Sequence, residues 1–63
     1  MKGEDKIFLL QAFHAVNGIP EIRNKFRENA SNISRLVAIV DSYGIDGFFE
    51  EMAKIRRMAN EQV

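Results

Sequence analysis

The chain has 63 residues and a mass of 7.2 kDa, room for a single small domain over residues 1–63. Nine basic side chains balance nine acidic ones, and 46% apolar with 29% charged is an ordinary globular composition. There is no cysteine, which excludes disulfide-stapled scaffolds and thiolate zinc modules, and a pI near 6.6 argues against a basic nucleic-acid arm.

The N-terminal run Met1–Lys6 is polar and carries both signs. The apolar stretch Ile7–Leu10 that follows is too short for a signal-peptide core or a membrane span. Together with the missing cysteines this points to a cytoplasmic protein, because small secreted domains rely on disulfides. No strand alternation is present, and Asp46-Gly47 leads into residues with helical rather than hairpin spacing. The expectation is an all-α fold, a compact bundle or array of four short helices at about 4–17, 20–29, 32–43 and 47–61.

The first helix opens with Glu4 and Asp5, which suit the positive end of its dipole, and Gly18 is placed to end it in the left-handed conformation. Phe8, Leu9, Ala12, Phe13 and Val16 share a broad face with Leu10 at its edge, while Ile7, Gln11 and His14 lie opposite. The second helix begins at Pro20, favourable at a first helical position, and carries a narrow stripe of Ile22 and Phe26. The third is capped by Ser31 or Asn32, and Ile33, Leu36, Val37, Ile39, Val40 and Tyr43 cover nearly half its surface before Gly44 ends it. The fourth is capped by Asp46, with Phe48, Met52, Ile55 and Ala59 as its inward stripe.

Apolar content exceeds what such a bundle hides. Omitting Met1 and Val63, there are 21 large apolar residues, against room for about 12 to 15 at three per two turns of helix. The surface scaling law gives a folded area of about 4,100 Å², an unfolded area of about 10,400 Å² and burial of about 6,300 Å². If about 60% of that is apolar it stabilises by about 95 kcal/mol, and ordering the chain costs about the same. Area covered by another molecule therefore matters. Ile7, Phe8, Leu10, Ile39, Phe49 and Met58 are the expected uncovered set, a patch for a protein partner or a second copy.

Catalytic chemistry is sparse. His14 is the sole histidine and has no evident orienting partner. Asp41, Asp46, Glu50 and Glu51 miss the calcium-loop pattern, since Tyr43 and Ile45 occupy positions that need oxygen ligands. The pattern calls for no metal, no cofactor and no enzymatic activity. The first helix lacks the row of basic residues that anionic lipid requires, so no membrane association is expected.

One alternative concerns nucleic acid. Residues 20–37 read as two helices across a very short turn, with Arg23, Lys25, Arg27 and Arg35 against Glu21 and Glu28. The string from Ser31 to Leu36 resembles the start of a recognition helix in helix-turn-helix repressors. The match covers about ten residues. It departs where Arg23 and Arg27 replace the small residue and glycine that let such helices cross closely. Glu21–Lys25 and Glu50–Lys54 are spaced as ordinary solvated pairs. The leading expectation is a small regulatory or adaptor protein that binds another protein through an apolar helical surface, as a homodimer. The alternative is a dimeric DNA-binding regulator using residues 20–37.

Overall fold

A computed structural model describes residues 1–61. Its elements are α1 (Gly3–Val16), α2 (Pro20–Glu28) and α3 (Ala30–Glu61), with no strand among the described residues. The fold is all-α as expected, but with three helices rather than four. The expected third and fourth segments are one 32-residue element broken at a single position, Gly44, with φ 75° and ψ 162°. Only glycine enters that region readily, so the backbone changes direction there in one residue. No loop follows, and helical structure resumes at Ile45, which leaves Asp46 inside the helix instead of capping it.

Local chemistry sets the other boundaries. Lys2 precedes α1 in an extended conformation, and Glu4 and Asp5 occupy the first turn. Gly18 does not adopt the expected left-handed conformation, since Gly44 is the one positive-φ residue described. Its value is space: a Cβ on Gly18 would lie 3.1 Å from the His14 carbonyl oxygen. Asn17 finishes α1 twice over, its backbone N–H and its side-chain Nδ2 donating to the Phe13 carbonyl at 3.0 and 2.9 Å. Pro20 opens α2 as expected. Asn29, not Ser31 or Asn32, caps α3, its Oδ1 accepting the Ser31 backbone N–H at 3.0 Å. Asn32 instead turns back to donate from Nδ2 to the Phe26 carbonyl at the end of α2.

Each helix touches the other two. The buried core is small: Phe8, Leu9 and Ala12 from α1, Ile39 and Ile55 from the two parts of α3. Half-buried Phe13, Phe26, Leu36, Tyr43, Phe48 and Met52 pack around it. α2 buries no residue fully; it attaches through Phe26, whose ring lies 6.0 Å from that of Phe8. A polar clasp closes the α1–α3 contact. The Tyr43 hydroxyl donates to Asp5 Oδ2 at 3.0 Å and accepts the Lys2 backbone N–H at 3.2 Å. Arg35 lies 4.7 Å over the Phe8 ring and donates to the Glu4 carbonyl.

The Cα extents are 30 × 29 × 18 Å, a slab about two helices thick. A helix in such a slab has neighbours on one side only. The consequence is a surface of 4740 Å², about 600 Å² above the scaling-law value for this mass. Nine large hydrophobic side chains are at least 42% exposed.

Candidate interaction surface

The expected surface set divides into three. Phe8 and Ile39 belong to the core, 6% and 3% exposed, and leave the set. Phe8 faces α2 and α3 at once, and Ile39 lies on the side of α3 that α1 covers. Helical spacing alone does not identify which edge of a broad apolar face a neighbour will meet. Ile7, Leu10 and Met58 come together. With Lys6, Glu51, Lys54 and Ile55 they line a hollow of about 190 Å³ between the first half of α1 and the last part of α3. Phe49 stands apart from them and is 61% exposed.

A larger hollow of about 280 Å³ lies at the other end of the α1–α3 seam. Ala12, Phe13, Val16 and Asn17 of α1 line it with Leu36, Phe48 and Met52 of α3. No charged group lines it, and Asn17 is its one polar residue. Two stripes of identical spacing reach this hollow, one from each part of α3. Ile33, Leu36, Val37 and Val40 lie at i, i+3, i+4 and i+7; so do Ile45, Phe48, Phe49 and Met52. Leu36, Phe48 and Met52 line the hollow and Val40 is half-buried, while Ile33, Val37, Ile45 and Phe49 are exposed. The Phe48 and Phe49 rings are 5.8 Å apart, which ties the exposed aromatic to the rim.

Sequence reasoning missed Val16, Ile19, Ile22, Ile33, Val37 and Ile45 as surface residues. The signal was present, because each part of α3 carries more apolar positions than one packing face requires. Spacing alone puts Ile33 and Val37 on a wide core stripe and Ile45 on none. A slab with five buried residues has no place for that width.

The basic residues of the nucleic-acid alternative do not form one array. Arg23, Lys25 and Arg27 are exposed on α2, with Arg27 donating to Asn24 Oδ1 at 3.1 Å. Arg35 is drawn away into the clasp with Phe8, Glu4 and Asp5. Asn32, in the same Ser31–Leu36 string, donates to the Phe26 carbonyl of α2. Of the expected ion pairs, Lys54 pairs with Glu51 at 3.5 Å rather than with Glu50, and Glu21–Lys25 forms none. His14 is exposed, its ring edge-on to Phe13. Among the described residues no cluster of histidine and carboxylate side chains is placed to hold a metal, and no helix is long and apolar enough to cross a membrane. Comparison with known proteins returns no matching family, no matching curated protein and no matching solved structure.

Proposed function

We propose that this chain is a small regulatory or adaptor protein that works by protein–protein contact, with its apolar helical faces covering a site on the molecule they bind. The observation that supports this reading is the exposed apolar area: nine large hydrophobic side chains on a slab whose fully buried core is five residues. Ile7 and Met58 gather at one hollow and Val16 at another, and apolar patches on a small domain mark interaction sites. Aromatic and methionine residues, enriched where proteins meet, are represented by Phe49 and Met58. The mechanism is occlusion, which needs shape and apolar area and no reacting group. The lack of cysteine suits a reducing, cytoplasmic setting.

A photoreactive amino acid at position 49, and separately at 58, is the test. On irradiation in the producing cells, each is expected to give a discrete covalent adduct heavier than the chain. The same group at exposed Glu28 on α2 is expected to give none. No adduct from either position, or equal labelling from position 28, would contradict the reading.

A further inference from the structure

The second part of α3, residues 45–61, is attached to the molecule differently from the rest. Lys2 and Asp5 of the α1 end bond to Tyr43, Arg35 bonds to Glu4 and Asp5, and Asn32 bonds back to α2. Among the described residues no side-chain hydrogen bond or ion pair joins residues 45–61 to that body; their one ion pair, Lys54 with Glu51, is internal. Apolar packing through Phe48, Met52 and Ile55 holds the segment in place. We infer that residues 45–61 are an exchangeable arm hinged at Gly44, folded back onto its own α1 in this structure and able to take the same place on a second copy.

Gly44 has the properties of a hinge. It makes the turn alone, at φ 75°, with helix on both sides and no loop between. No neighbour holds it there, since a Cβ would meet no atom within 4 Å and Gly44, Ile45 and Asp46 are all exposed. Glycine takes this positive φ readily and also tolerates a helix interior at moderate cost. One residue's change of conformation therefore converts the turn into continuous helix. Short hinges between elements that pack on one another are where identical elements exchange between copies.

Helix geometry names the occupant. Ile39 and Ile55 lie in one buried cluster with Phe8 and Leu9. In a straight α3 these two isoleucines would stand about 24 Å apart along the axis, at about 1.5 Å per residue. One chain cannot keep both against its own Leu9. The place vacated by Phe48, Met52 and Ile55 is bounded by α1 and the first part of α3, and the segment that fits it is the same arm of another copy. The exchange is reciprocal, so the pair closes with two-fold symmetry. Every contact it needs is one the single chain already makes, and the exposed apolar stripes take no part in it.

A cross-link reports which chain the arm lies on. Leu10 and Met58 line the same hollow between α1 and the arm, and the chain has no cysteine. Leu10→Cys with Met58→Cys, joined by a short bismaleimide, gives a product of 7.2 kDa when the arm is closed and twice that when it is exchanged. With the native Gly44 the single-chain product is expected to dominate after refolding from urea at low micromolar protein. The doubled product is expected to grow as refolding is carried out at up to millimolar protein. Adding Gly44→Ala, which penalises the turn, should raise the doubled fraction about 10-fold to 100-fold at equal concentration, and Gly3→Ala should leave it unchanged. Isotope-filtered NMR on labelled and unlabelled chains without the cysteines, refolded together, should show Leu9–Ile55 methyl contacts between chains. Two closed copies touching at their surfaces do not give that contact, because both residues are buried. Single-chain product alone with the native hinge up to millimolar protein would overturn the inference, as would a doubled product without Leu9–Ile55 contacts between chains. The native-hinge series decides the matter if the Gly44→Ala chain does not fold.

Discussion

Leu9→Ala is expected to lower stability by about 3 kcal/mol, within the usual range for a buried leucine reduced to alanine. Leu9 is the one large side chain with no exposed surface, and it meets both parts of α3 through Ile39 and Ile55. A domain of this length has a total stability of roughly 3 to 9 kcal/mol. The substitution therefore removes at least a third of it, and relaxation of the slab onto the vacated volume offers little relief because the core has only four other buried residues. Urea unfolding followed by circular dichroism should show a much lower midpoint or a chain unfolded without denaturant. Val16→Ala, on an exposed side chain of the same helix, should change the midpoint far less when the two are compared at low concentration. Equal effects of the two substitutions would mean that the core does not sit where Leu9 places it.

Gly44→Ala is expected to cost about 2 to 3 kcal/mol, for a reason unrelated to packing. A Cβ at this position would meet no atom within 4 Å, so crowding is not the cause. The cost comes from φ 75° with ψ 162°, which an alanine backbone resists. Relief would require position 44 to become helical, which would straighten α3 and pull Ile55 away from Phe8 and Leu9. The melting temperature should fall by about 8–24 °C at about 4–8 °C per kcal/mol. Gly3→Ala is the matched control. Gly3 lies at the exposed start of α1 with open space around it, and alanine there should be neutral or slightly stabilising. A Gly44→Ala protein melting with the wild type would show that the chain crosses this point in a conformation alanine accepts.

These two substitutions also mark where sequence and structure part. Local chemistry was legible. Proline at position 20 started α2, the acidic pair at positions 4 and 5 opened α1, and Gly44 ended a helical run. The consequence of Gly44 was not legible, because a glycine stop before Ile45-Asp46-Gly47 reads equally well as a loop or as a one-residue turn between abutting helices. That choice depends on whether the second run can reach the core at once, a tertiary matter. The surface set was partly legible for the same reason. Spacing identified which residues share a face of a helix, and correctly associated the excess of apolar side chains with exposure. It did not tell which of two adjacent apolar faces on α3 would turn towards α1. Ile39 and Tyr43 took the inner position, Ile33 and Val37 the outer one. Arg35 illustrates a further limit: its place over Phe8 depends on the approach of α1 to α3, which no pattern within residues 31–36 contains.

The clasp around Tyr43 and Arg35 shows how the slab is held without a deeper core. A net hydrogen bond contributes about 1 kcal/mol, and the clasp ties the start of α1 to the first part of α3. The start of α1 is thus held by polar contacts, while nine large apolar side chains elsewhere stay exposed.

If a second copy covers the exposed apolar faces, the melting temperature rises with protein concentration. When folding is coupled to dimer formation, a hundredfold rise in concentration adds about 2.7 kcal/mol per dimer. Half of that per chain raises the midpoint of a domain this size by about 5–10 °C. An increase of that order between low and high micromolar protein is the predicted result. A midpoint that stays constant across the same range would contradict cover by a second copy.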